Sequence, residues 1–130
     1  MKLIFIDDEP IQHFIIQRMI ETYLSFQPVT TYYFDATKVV EFLIKNKTNS
    51  DELPDMIFVD INMAIMSGSS FLHKYNKLRS GLARKIDVYI MSSSIDPADL
   101  ALAKKYDFVL DYIIKPLTKV TLKKILEPAL

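Results

Sequence analysis

The stretch IFIDDEP, Ile4–Pro10, decides how the rest of the chain is read. An apolar, β-rich run beginning at Leu3 stops abruptly at Asp7, Asp8 and Glu9. Such a run suits a buried strand, and its end delivers acids to the edge of a sheet. Adjacent carboxylates repel one another, so a cation or good solvation must offset the cost. The blander alternative is that the acids cap the helix that follows.

The same pattern recurs along the chain. Met56–Val59 (MIFV), Val88–Met91 (VYIM) and Val109–Ile114 (VLDYII) are further strand-length runs, and Thr30–Phe34 (TTYYF) supplies another. Helix-period segments lie between them: Ile11, Phe14, Ile15, Arg18 and Met19 form a largely apolar stripe, as do Phe71, Leu72, Tyr75 and Leu78. Val39–Ile44 marks the helix after the second strand. Asp96-Pro97 predicts an N-cap followed by a first helical residue, and Thr118 predicts the cap of the last helix. The β, α alternation, repeated about five times, predicts an α/β doubly wound parallel sheet. Asn46–Pro54 is the one long polar loop, and there is no internal repeat.

Composition restricts the function classes. At 130 residues and 50% hydrophobic, the chain fits one domain, residues 1–130. Lys+Arg 16 balance Asp+Glu 16, so no global basic field favours nucleic acid or an anionic membrane, and any electrostatic function is local. There is no cysteine, and acids interrupt the N-terminal apolar run too early for a signal peptide. No stretch approaches the roughly 20 apolar residues of a membrane span. A soluble, cytoplasmic protein is expected.

In open parallel sheets ligands bind beyond the carboxyl ends of the strands. There the sequence places Asp7 and Asp8 after the first strand, Asp60 after the third, Ser92, Ser93 and Ser94 after the fourth, and Lys115-Pro116 after the fifth. Carboxylates from two strands suit Mg²⁺, which keeps much of its shell for water or phosphate oxygens. A lysine and a hydroxyl converging on them suit a phosphoryl group, and one of the aspartates could be its acceptor.

Four segments in order, IFIDDEP, FVDINMAIMSG (Phe58–Gly68), VYIMSSS (Val88–Ser94) and YIIKP (Tyr112–Pro116), resemble the receiver domain of two-component response regulators over essentially the whole chain. The resemblance implies a flavodoxin-like (βα)5 fold with strand order 2-1-3-4-5. It implies Asp60 as phosphoacceptor; Mg²⁺ held by Asp7, Asp8, Asp60 and the backbone carbonyl of Asn62; and Lys115 paired with the phosphoryl oxygens. Ser92, or Ser93 if the count runs back from Lys115, is the implied switch hydroxyl, and Tyr112 the aromatic ring that turns inward. The implied donor is a sensor histidine kinase or a histidine phosphotransfer protein. Domains of this kind catalyse their own phosphorylation and dephosphorylation without being enzymes on another substrate.

Three departures from the family pattern stand out: Ala64 replaces the proline usual after Met63, implying a looser loop; Tyr106–Asp111 lacks the Ala-Gly turn; and the serine run blurs the switch position. The chain carries no output module after its last helix, so a stand-alone domain is expected. Its downstream protein target would meet the face of the fourth helix, last strand and last helix, with Ile95, Ala98, Ala101, Lys104, Tyr112 and Lys124 as candidates. Asn62 and Ser94 are expected to flank the phosphoryl group. His13 and His73 are expected on helix surfaces, in no metal-ligand pattern. A phosphorylation-independent pseudo-receiver remains an alternative, as does a Mg²⁺-dependent phosphohydrolase with an aspartate nucleophile. The latter needs an acid-base aspartate where Asn62 stands.

Overall fold

The computed structural model describes residues 1–127. Its strands are β1 (Lys2–Ile6), β2 (Val29–Tyr33), β3 (Met56–Val59), β4 (Asp87–Ser92) and β5 (Val109–Ile114). They form one parallel sheet in the order β2-β1-β3-β4-β5. Order reverses between β1 and β3, which makes the gap beyond their carboxyl ends the topological switch point. The helices are α1 (Pro10–Tyr23), α2 (Ala36–Lys45), α3 (Gly68–Leu78), α4 (Pro97–Leu100), α5 (Leu102–Lys105) and α6 (Lys119–Leu126). This is the doubly wound parallel sheet that the alternation predicts, in the flavodoxin-like strand order that the resemblance implies. The segment between β4 and β5 forms two short helices, α4 and α5, in place of one continuous helix.

Side-chain alternation along the strands divides the core. Ile4, Ile6, Ile57 and Val59 face the layer of α2 and α3, where Val39, Leu43, Phe71, Leu72 and Tyr75 meet them. Leu3, Phe5, Phe58 and Met91 face α1 and α6, through Ile16, Ile20, Leu122 and Leu126. On that second face the rings of Tyr32, Phe5, Phe58 and Tyr89 stack in turn across four strands, with centroids 5.8, 4.4 and 5.1 Å apart. In place of the Ala-Gly turn, Tyr106 and Phe108 bury their rings in the α2–α3 side of the core. Asp96 and Thr118 cap α4 and α6 through their side chains, as their positions predict.

The first helix corrects the sequence reading. Ile11, Phe14 and Ile15 are exposed, with Arg18 over the Phe14 ring, and the inward face is instead His13, Ile16 and Ile20. Both faces have helical spacing. Counting His13 as polar favoured the wrong one, because its burial depends on acceptors outside the helix. His13 is therefore a buried residue rather than a surface one; His73 is exposed as expected.

Close backbone approach sets the start of α3. A Cβ on Gly68 would lie 2.3 Å from the carbonyl oxygen of Asp60 and 2.7 Å from Cα of Ile61. Both are backbone atoms that no rotamer change can move. The Gly68 N–H also donates to the Ile61 carbonyl at 2.9 Å, so the helix is docked directly against the strand end that carries Asp60. Gly68→Ala is expected to lower unfolding stability by about 1–3 kcal/mol through overpacking, measured by urea denaturation. A midpoint equal to wild type would show that α3 can shift at no cost.

Candidate functional site

Asp7, Asp60 and Lys115 each stand one residue beyond the end of a strand, and in each case the ladder continues by one bond. The N–H of Asp7 donates to the Tyr33 carbonyl at 3.0 Å, that of Asp60 to the Ile6 carbonyl at 3.0 Å, and that of Lys115 to the Ser92 carbonyl at 2.9 Å. The sheet thus fixes the N–H side of each backbone, and the carbonyl side and the side-chain torsions are set by other contacts.

Those side chains converge. Carboxylate oxygens of Asp7, Asp8 and Asp60 lie within 4.8 Å of one another. Lys115 Nζ donates to Asp7 Oδ2 at 2.6 Å and to Asp60 Oδ2 at 3.5 Å, with the lysine side chain 12% exposed and the two acids 3% and 7%. Burial pulls Asp60 toward its protonated form. That outweighs the Lys115 charge, and the pKa rises above the usual carboxylate value. For Lys115, burial disfavours the ammonium, but the hydrogen bond to Asp7 and the charges of Asp60 and Asp7 prevail, and its pKa also rises.

Asp8, half-buried, is held from the other side. Its Oδ2 accepts the Ala64 N–H at 3.0 Å. A proline at position 64 would have no proton to give, so the missing proline creates this tie between the β1 and β3 loops. The loop after Asp60 is bonded at both ends, to Asp8 and through Gly68 to Ile61, where a looser segment was expected. The Asn62 N–H donates to Asp60 Oδ1 at 3.3 Å. The capping alternative for the acids fails for the helix proper, since α1 has Glu9 as N-cap and no side-chain cap bond; Asp7 Oδ1 accepts only the N–H of Glu9 itself.

Ser92 ends β4 fully buried, its Oγ accepting the Ser94 N–H at 3.2 Å. Ser93 is exposed and lines a cleft of about 390 Å³ with Glu9, Gln12 and Lys115. Ser94, expected beside the phosphoryl group, has its hydroxyl engaged elsewhere: it donates to Asp99 Oδ2 at 2.6 Å and accepts from the Asp96 N–H. The Tyr112 hydroxyl donates to the Ser94 carbonyl at 2.9 Å, which turns its ring in against this loop. Ile95, Ala98, Ala101, Lys104 and Lys124 are exposed. His13, which the sequence reading set aside, lies directly beneath Asp7, with Nε2 2.7 Å from the Asp7 carbonyl oxygen.

The family model of the response regulator receiver domain matches residues 3–127. The chain belongs to that family. It is a receiver domain of two-component signalling, similar to a two-component response regulator from Cytophaga hutchinsonii at 26% identity, with 96% of this chain and 92% of that one covered and a TM-score of 0.82. The fold is shared with the chemotaxis protein CheY4 of Vibrio cholerae (18% identity, 99% and 98% covered, TM-score 0.73) and with response regulator Rcp1 in its Mn²⁺-bound form (16%, 99% and 96%, 0.78). No curated protein sequence matches the chain. No helix among the described residues of the receiver domain is long and apolar enough to cross a membrane.

The raised pKa of Asp60 sets a stability prediction with a definite sign. Its folded-state value lies above the unfolded one, so its contribution favours folding at low pH and is lost as pH rises through the folded value. At neutral pH without divalent cations, the Asp60 carboxylate therefore destabilises the domain, and Asp60→Asn is expected to raise the thermal midpoint. The gain should shrink as the pH falls into the carboxylate range. A variant less stable than wild type at pH 7 would contradict this.

Proposed function

We propose that the domain accepts a phosphoryl group on Asp60 from a phosphohistidine of a sensor histidine kinase or histidine phosphotransfer protein, with Mg²⁺ held by Asp7, Asp8, Asp60 and the Asn62 backbone carbonyl. The observation that carries this reading is the meeting of three carboxylates from two strand ends with one partly buried ammonium. The donor set is all hard oxygen, without histidine or cysteine, which fits Mg²⁺ or Mn²⁺. That Rcp1 has been solved with Mn²⁺ bound agrees with this chemistry.

A carboxylate oxygen of Asp60 attacks phosphorus as the bond from phosphorus to the imidazole nitrogen breaks, and the imidazole leaves with the electron pair. When bound, the cation would neutralise phosphoryl oxygens and lower the repulsion between them and the carboxylates. Lys115 is placed to follow the charge: its ammonium, now shared between Asp7 and Asp60, can donate to an oxygen of a phosphoryl group carried by Asp60. The raised pKa of Asp60 marks a carboxylate whose negative charge is poorly accommodated by its surroundings. A cation held by Asp7, Asp8 and Asp60 would relieve that cost.

Ser92 and Tyr112 form the proposed route outward. A hydroxyl at Ser92 that turned to the phosphoryl group would release the Ser94 N–H, and the Ser94 carbonyl is the acceptor of Tyr112. Loop and ring are thus linked by consecutive bonds, and the exposed side chains Ile95, Ala98, Ala101, Lys104 and Lys124 would present the change to a protein partner. Self-dephosphorylation by water at Asp60 would reset it.

The test is intact-mass spectrometry after incubation with Mg²⁺ and acetyl phosphate. Wild type is expected to gain one phosphoryl group, Asp60→Asn none, and wild type with a chelator none. Labelling of Asp60→Asn to the wild-type level would overturn the assignment.

A further inference from the structure

A histidine pinned beneath the acidic loop has no part in the phosphoryl chemistry, yet its bonds fall on that loop. Nε2 of His13 lies 2.7 Å from the carbonyl oxygen of Asp7 and 3.1 Å from that of Tyr33. Carbonyl oxygens only accept, so Nε2 carries the proton and shares it between them. The Tyr33 carbonyl also accepts the Asp7 N–H. One imidazole therefore closes a three-way junction among α1, the end of β1 and the end of β2.

The junction is enclosed. His13 is 6% exposed, and the rings of Tyr32 and Phe34 meet it edge-on, with centroids at 5.2 Å and 4.8 Å. A hydrogen bond shielded in this way is stronger than one in water, and losing the donor leaves a carbonyl with poorer compensation. Asp7 needs this support. It stands beyond the regular strand, its side chain is bonded to Lys115, and Asp8 follows it immediately. Any rotation of the peptide after Asp7 would swing both carboxylates.

We propose that His13 is a positioning residue, whose Nε2–H holds the Asp7 carbonyl against the end of β2 and thereby sets the affinity of the Asp7, Asp8, Asp60 cluster for a divalent cation. The inference rests on the proposed cation site. It assigns His13 no contact with the metal or the phosphoryl group.

Two measurements test it. In the first, calorimetric titration with MgCl₂ alone compares wild type, Asp8→Asn, His13→Gln and His13→Phe, with thermal stability followed in parallel. Gln can present an Nε2 donor and Phe can fill the space without one. His13→Phe is expected to bind Mg²⁺ about tenfold more weakly, the size of effect typical of groups that orient metal ligands, and His13→Gln to recover most of the affinity even where its stability stays low. A purely structural histidine would instead show lost stability with unchanged affinity, and that result overturns the inference. Wild type and Asp8→Asn that both fail to bind Mg²⁺ would overturn the cation site and this inference with it, whereas normal wild-type binding with an unaffected Phe variant would remove His13 alone. The second measurement needs no variant: nitrogen NMR of wild type is expected to find His13 in the Nε2–H form with a slowly exchanging proton. The Nδ1–H form would overturn the proposal even if the Phe variant did not fold.

Discussion

The ammonium of Lys115, reaching from the end of β5 across the sheet to Asp7 and Asp60, is the contact on which the arrangement of this edge depends. Without it, two largely buried carboxylates would face each other with only Asp8 beside them. The attraction does not fully offset the cost of burial, and Asp60 retains a raised pKa as a result. Such residual cost is characteristic of a site built for a ligand rather than for stability. The proposed cation and phosphoryl group are both species that this unbalanced charge would favour.

Everything around that contact restricts motion. The sheet ladder runs one bond past each strand end, so the N–H groups of Asp7, Asp60 and Lys115 are tied to the core. Gly68 lets α3 dock against the Asp60 carbonyl without a Cβ in the way. His13 ties the Asp7 carbonyl from below, and the Ala64 N–H ties Asp8 from the facing loop. By contrast, the β4 side is built from short helices and side-chain bonds among Ser94, Asp96, Asp99 and Tyr112. Elements with few buried contacts open more easily than core strands, which places the adaptable part of the molecule beside the rigid acidic part.

The strands, their order along the chain and the residues at their ends were legible in the sequence. Apolar runs of strand length are a local signal, and a strand that ends in Asp or Lys must deliver that group to the same edge as its parallel neighbours. That rule places Asp7, Asp8, Asp60 and Lys115 on one edge, and the strand order, which the resemblance implied and the sheet adopts, brings them together. The inward face of α1 was not legible, because two stripes of helical spacing compete and only the position of the sheet selects His13, Ile16 and Ile20 over Ile11, Phe14 and Ile15. The partners of His13, Ala64 and Ser94 were hidden for a related reason. A histidine reads as polar until two carbonyl oxygens are brought to it, and a backbone N–H at Ala64 has no signature except the proline that is missing. Periodicity and strand-end chemistry, set by neighbouring residues, determined the fold and the charged site. Hydrogen bonds between segments distant in sequence, which exist only once the sheet has assembled, decided how that site is held.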